Sequence, residues 1–263
     1  MSIFEKFAGC AKRRPTEADC SVPTVEQQVE FTREEELYGL GNDSALDGLG
    51  LMKVLMLYRP RPITKYLGSI GRRYSMLHPD VLVLLYYLAR HAQGHILEIG
   101  PYIGGSTIAA AKGTRDAGVL KRIVTIEHGL PMAKSRLGSS DTIEDLKQNL
   151  TRQGVADLVR IVVGEASAKT TVESVRQHLG PQSVGLCIMD ADGAIKDALQ
   201  TYGKLLIDNC WVVVDDYFAV GVAVNKALRS KAEIDSLVSS GMLTTAGFFG
   251  WGTWIGQWQR NAN

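Results

Sequence analysis

The chain has 263 residues, with 29 Lys and Arg against 28 Asp and Glu, a formal net charge of +1, and four cysteines. That length allows one large domain with an appendage and a sizeable buried core, and the even charge balance excludes the broad basic field that a nucleic-acid partner asks for. No apolar run reaches the ~20 residues of a membrane span, MSIFEKFAGCAKRRP lacks a signal-peptide core, and Cys10, Cys20, Cys187 and Cys210 have no metal-type spacing, so a soluble, cytoplasmic protein in a reducing compartment is expected.

Residues 1 to about 30 are polar and carry Lys12-Arg13-Arg14-Pro15. They read as a loose arm, or as one that docks on a partner subunit in a homodimer. From Phe31 to Tyr74 short helical patterns are broken by Gly39, Gly41, Gly48 and Gly50, and then by Arg59-Pro60-Arg61-Pro62. Periodicity does not place this segment in a core, and residues 1–74 are read as an arm and helical cap or lid over a second unit, residues 75–263.

Asp80–His91 is a single apolar helix with Pro79 suited to its first turn. Strands and helices then alternate: strands at His95–Ile99, Arg122–Glu127, Val159–Val163, Val184–Met189 and Trp211–Val214. The intervening helices are expected over Ser106–Ala117, Asp141–Gln153, Ala168–Leu179, Ala194–Ile207 and, after the fifth strand, Val222–Val238. Five apolar strands separated by helices predict an α/β fold with a parallel sheet covered on both faces. Leu243–Phe249 and Thr253–Gln259 are joined through Gly250-Trp251-Gly252 with no room for a crossover helix, so they predict an antiparallel hairpin. Most of Trp251, Trp254 and Trp258 should pack in the core, as should Cys187.

The stretch Ile96–Ala111, ILEIGPYIGGSTIAAA, combines a strand ending in an acid, a glycine loop and a helix start. Free backbone N–H groups and the positive dipole end at such a start favour a nucleotide or a carboxylate. The spacing E-x-G-x-x-x-G-G has Tyr102 where a dinucleotide fingerprint has its second glycine, which leaves less room for a pyrophosphate. Acids also recur at the carboxyl ends of the strands, where ligands bind in such sheets: Glu98, Glu127, Glu165, Asp190 and the pair Asp215-Asp216. Glu127, one strand beyond the glycine loop, can accept both hydroxyls of a ribose. Asp190-Ala191-Asp192 and Asp215-Asp216 would bring several carboxylates onto adjacent strand ends. Pairing with a divalent cation is the usual remedy for their repulsion, and oxygen-only ligands favour Mg²⁺, with Mn²⁺ or Ca²⁺ as alternatives.

The glycine loop, the five strands and the terminal hairpin together resemble the class I S-adenosylmethionine (SAM)-dependent methyltransferases, over about Ser75 to Gln259. The resemblance implies a Rossmann-like seven-stranded sheet, and a cofactor site made of Glu98, Gly100, Tyr102, Gly104, Gly105 and Ser106 at the methionine end. It gives the ribose to Glu127, places His128 near the adenine, and lines the adenine edge with Glu165 and Ala166. D-x-D after strand four with D-D-Y after strand five resembles the metal-dependent O-methyltransferases, more closely the macrocin and novobiocin sugar type than the catechol and caffeoyl-coenzyme A type. Carried over, Asp190, Asp215 and Asp216 are the metal ligands, Asp190 also borders the cofactor, and Asp192 is the general base. Catechol-type enzymes have a lysine in the strand-four loop. Here Gly193 follows the D-x-D and the nearest lysine is Lys196, so no lysine base is expected. The implied reaction is Mg²⁺-dependent methylation of a hydroxylated small molecule, a sugar moiety or a phenol of secondary metabolism. Two other readings stay open: a metal-dependent nucleotide-sugar glycosyltransferase using Asp190-Ala191-Asp192, and a non-catalytic SAM-binding protein.

Overall fold

The computed structural model describes residues 25–40, 46–133, 135–218 and 224–260; the expectations for the N-terminal arm up to residue 24, with its basic triplet, Cys10 and Cys20, lie outside them. Helices α1 (Val25–Leu37), α2 (Gly48–Tyr58), α3 (Pro62–Tyr74) and α4 (Pro79–His91) come first. The alternating part runs β1 (His95–Ile99), α5 (Gly105–Asp116), β2 (Ile123–Glu127), α6 (Thr142–Arg152), β3 (Val159–Val163), α7 (Lys169–His178), β4 (Val184–Met189), α8 (Ile195–Tyr202) and β5 (Leu206–Val214). Helix α9 (Val224–Ser239) and the strands β6 (Leu243–Phe249) and β7 (Thr253–Trp258) complete it.

The seven strands form one sheet in the order β3-β2-β1-β4-β5-β7-β6. β1 to β5 are parallel, and β7 runs antiparallel to both β5 and β6. The expected Rossmann-like seven-stranded sheet is therefore present. The order reverses at β1, which lies between β2 and β4, and this is where an open sheet leaves a crevice at its carboxyl edge. One expected boundary moves. The helix expected to reach Ile207 stops at Tyr202, a 3-10 turn covers Gly203–Leu205, and β5 begins at Leu206 rather than Trp211. Leu206 pairs with Val184 across an irregular register, with Asn209 at φ +58° in the same stretch. A strand bent by a left-handed Asn shows no clean period of two, which is why its apolar start reads as helix.

Strand alternation sorts the core into two layers. Ile96, Ile123, Ile188 and Val213 face α4 and α5, while Leu97, Val124, Cys187 and Val212 face the buried sides of α7, α8 and α9. Cys187 and Cys210 are free and buried, and burial pushes the Cys187 thiol up to about 12, as befits a small core residue. Trp254 is buried as well, whereas Trp251 is 67% exposed.

The Phe31–Tyr74 segment is part of the first layer. Leu51, Val54 and Tyr58 of α2 and Leu67, Ile70 and Tyr74 of α3 are buried in the same cluster as α4. Helix α1 is fastened by a buried acid. Glu35 Oε1 accepts from Tyr58 Oη (2.5 Å), Arg90 Nη1 (3.2 Å) and His91 Nε2 (3.3 Å). Burial alone would raise this carboxyl, but His91, Arg90 and Tyr58 outweigh it and hold it below its ordinary range. Such long-range pairing leaves no trace in local periodicity. Among the described residues no helix is long and apolar enough to cross a membrane.

Candidate active site

A cleft of about 1450 Å³ opens at the carboxyl edge of the sheet, lined by Gly100, Tyr102, Ser106, Glu127, Asp190 and Asp215 among others. The strand ladders run one residue past their ends to shape it: Gly100 N–H donates to Ile126 O, Asp190 N–H to Ile99 O and Asp215 N–H to Met189 O. Asp190 and Asp215, the first residues after β4 and β5, are thereby held side by side at this edge.

At the glycine loop, α5 starts from Gly104 at φ +99° with no side-chain cap, so its first-turn N–H groups remain available to an anion. Gly104 itself is not on the cleft wall: a Cβ there would meet Leu146 Cδ1 at 2.7 Å, between α5 and α6. Its glycine is required by the left-handed backbone and the packing beneath the loop. Gly105 and Ser106 do face the cleft, and a Cβ on Gly105 would meet Ser75 Cβ at 2.3 Å and Tyr74 O at 2.5 Å. Tyr102, at φ +53°, reaches across to the loop after β2, where its hydroxyl pairs with Ser135 Oγ at 2.5 Å. Glu98 lies below the cleft wall and is 1% exposed. Its Oε2 accepts from Thr107 Oγ1 at 2.6 Å and its Oε1 has no partner; burial raises its pKa despite the hydroxyls of Ser106, Thr107 and Thr125. This acid braces the first turn of α5 from beneath.

Glu127 ends β2 with its contacts gathered on one oxygen. Oε1 accepts from Gly129 N–H (3.0 Å) and Thr142 Oγ1 (3.3 Å), and His128 Nδ1 lies 3.3 Å away. His128 is turned to its own loop, its Nδ1 accepting from Leu130 N–H at 2.9 Å. Glu165 and Ala166 line the cleft after β3, and Ala166 O is fixed by the Tyr202 hydroxyl at 2.5 Å.

Asp190, Asp215 and Asp216 come together. Each is half-buried and offers an oxygen, and these three oxygens lie within 4.8 Å of one another. Asp215 Oδ1 accepts from Thr253 Oγ1 at 2.6 Å, so the terminal hairpin reaches the cluster. Burial, and then the charge of Asp190, push Asp215 up to about 7. An acid whose folded pKa is raised costs stability once the pH passes its unfolded value, near 3.9, and the cost grows until about pH 7. Asp215→Asn is accordingly expected to stabilise the chelated protein by about 1 kcal/mol or more at pH 8 and by nothing measurable at pH 4. Urea midpoints across that range are the measurement, and a gain independent of pH would contradict the assignment.

Asp192 does not join the cluster. It is on the cleft wall but largely exposed, with Oδ1 accepting from Ala194 N–H at 3.0 Å and Oδ2 3.8 Å from Arg229. Two side chains absent from the sequence reading sit where it was expected to contribute: Thr253, above, and Lys226 from α9, whose Nζ is 2.7 Å from Asp190 Oδ1 and 2.8 Å from Asp216 Oδ2. Neither carries a local signal, since both reach the site from elements more than 35 residues from Asp190. Lys196, nearer in sequence, turns away to Ser236 Oγ at 2.8 Å.

A family model described as a methyltransferase domain (Methyltransf_24) matches residues 97–217. Among solved structures, a putative caffeoyl-CoA O-methyltransferase from Staphylococcus aureus is similar at TM-score 0.57 and 20% identity, over 80% of this chain and 99% of that one. SAH-bound PaMTH1 of Podospora anserina is similar at TM-score 0.53 and 19% identity, over 90% and 98% of the two chains. The O-methyltransferase TomG of Streptomyces achromogenes, in complex with SAM, is similar at 0.52 and 23%, over 74% and 89%. At these identities the likeness is one of fold. No curated protein matches the chain. The matched segment spans β1 to the turn after β5, which holds the glycine loop and all three clustered aspartates, and the seven-stranded sheet has the fold of these methyltransferases.

Proposed function

We propose that this domain transfers the methyl group of SAM to a hydroxyl oxygen of a small-molecule acceptor, with a divalent cation held by Asp190, Asp215 and Asp216. The observation that carries the reading is the convergence, in one cleft, of an uncapped helix start, an acid at the end of β2 and a three-carboxylate cluster. The uncapped N–H groups of α5 suit the carboxylate of the methionine moiety. Glu127, anchored through Oε1 by Gly129 and Thr142, is placed to accept from ribose hydroxyls, with His128, Glu165 and Ala166 bordering the base. SAM supplies a methyl group on a positively charged sulfur.

The donor set of the cluster is all carboxylate, with Asp215 raised by burial and then by the charge of Asp190, and it fits a hard cation such as Mg²⁺. A bound divalent cation would supply a Lewis acid that lowers the pKa of a hydroxyl. Asp192 lines the same cleft and is the proposed proton acceptor; to serve, it must let go of its turn with Ala194. Phe218 and Trp251, both exposed on the cleft wall, with His78 packed edge-on to Trp251 at 5.0 Å, suit stacking against a phenol or sugar ring. The helices α1–α3 would act as the cap behind that wall. The methyltransferase-domain match weighs against the nucleotide-sugar reading.

Calorimetric titration with SAM, in Mg²⁺ and after chelation, tests the proposal. Micromolar SAM binding in both states, together with a separate Mg²⁺ site, supports it. No SAM binding in either state would overturn the reading of the glycine loop, and binding of a nucleoside diphosphate sugar instead would restore the glycosyltransferase.

A further inference from the structure

Lys226 has no part in that reading, yet it bridges two acids of the cluster. Its Nζ donates to Asp190 Oδ1 at 2.7 Å and lies 2.8 Å from Asp216 Oδ2. Two of the three carboxylates that would hold a divalent cation are therefore already satisfied by a cation of the chain itself. Charge-assisted contacts of this length are among the stronger ones a protein makes.

The placement is built into the fold. Helix α9 approaches the loop after β4 at Gly193, where a Cβ would meet Lys226 O at 3.0 Å and Ser230 Oγ at 2.9 Å. Gly193 also sits at φ +80°, so any side chain there would be strained and would push the first turn of α9 off the cluster. From the other side, Asp216 is held at φ +56°, with the next two N–H groups, of Tyr217 and Phe218, donating to Gly252 O. The loop after β5 is thus pinned to the hairpin with its second aspartate turned to Lys226. The neighbouring cation on α9, Arg229, is engaged elsewhere: it lies 3.5 Å from Asp197, 3.8 Å from Asp192 and 3.0 Å from Glu233.

An ammonium hydrogen-bonded between two carboxylates and a divalent cation coordinated by the same groups compete for one small space. Mg²⁺ needs its oxygens at about 2.0–2.1 Å in near-octahedral order, and two cations at that range repel one another strongly in a half-buried site. We propose that Lys226 is the resident counter-cation of the triad: it holds Asp190 and Asp216 in the metal-free chain and leaves them when a divalent cation enters. The proposal rests on the metal reading above. It makes Lys226 a positioning residue, which keeps the ligands gathered before metal arrives and weakens metal affinity by competing for them.

The test uses Mn²⁺ alone as the probe, titrated into the full chain and followed by electron paramagnetic resonance, for the native protein, Lys226→Met and Lys226→Arg. Lys226→Met, which keeps the stem and drops the charge, is expected to bind Mn²⁺ about tenfold more tightly or better; Lys226→Arg is expected to stay at or below native affinity. In chelator Lys226→Met should melt below the native protein, and Mn²⁺ should raise its melting temperature by more. A folded Lys226→Met with equal or weaker Mn²⁺ affinity overturns the proposal, because Lys226 would then support the metal rather than compete with it. Native protein and Lys226→Met that both bind SAM but not Mn²⁺ would sink the metal reading itself, and this proposal with it. If Lys226→Met does not fold, reductive methylation of the native chain decides: Lys226 is expected to be protected in chelator and labelled in saturating Mn²⁺, and equal labelling in the two states overturns displacement.

Discussion

Replacing Asp215 and Asp216 together with alanine is expected to abolish Mn²⁺ binding and to lower kcat/KM by about a thousandfold or more, some 4 kcal/mol of transition-state stabilisation, while SAM affinity stays within a few fold. The separation follows from topology. Both aspartates follow β5, whereas the glycine loop follows β1 and Glu127 ends β2, on the far side of β4. Their own contacts run to Thr253 and Lys226, and neither touches α5. The fold should survive, because the variant no longer buries the Asp215 carboxyl, which burial and then the charge of Asp190 hold up near 7. S-adenosylhomocysteine release with an acceptor that the native protein methylates, beside calorimetry with SAM, measures both halves. A double variant with full turnover would end the metal reading; one that loses SAM as well would show that the cluster belongs to the cofactor site instead.

The second large effect is expected at Gly105. Gly105→Val should remove SAM binding and cost several kcal/mol of stability, beyond the typical ~1–3 kcal/mol of an overpacked site, because the obstacles are not flexible side-chain ends. The added Cβ meets Tyr74 O and Ser75 Cβ, and Tyr74 is itself buried in the core beside α4. The chain between α3 and α4 cannot recede without moving that core, so α5 must shift and carry its uncapped N–H groups out of line. Gly180→Ala serves as the control, since nothing lies within 4 Å of a Cβ there. Melting temperatures and SAM isotherms for the two variants make the comparison; a Gly105→Val protein with native SAM affinity would show that the start of α5 does not hold the cofactor.

Much of this protein was determined by sequence alone. Apolar runs such as Ile96–Ile99 and Val184–Met189, bounded by acids and glycines, specify strands that must be buried on both faces, and the close spacing of Leu243–Phe249 and Thr253–Trp258 admits only a hairpin. Because helices return each parallel strand in the same direction, acids at the strand ends necessarily share one edge, and Glu127, Asp190, Asp215 and Asp216 were legible for that reason. What tertiary structure decided depends on contacts between distant segments. Glu35 finds Arg90 and His91 across more than 50 residues, a pairing that no local pattern records, although α3 itself carries Ile63, Leu67, Ile70 and Tyr74 at helical spacing. Asp192, two residues from a cluster member, turns to its own loop, because a short carboxylate can accept from the backbone N–H two residues on, here Ala194. Thr253 and Lys226 reach the cluster because β7 lies beside β5 and because Gly193 lets α9 come close. Local pattern records which backbone a segment will adopt; the cation beside the aspartates is set by which helix packs against which loop, and that is a property of the folded chain alone.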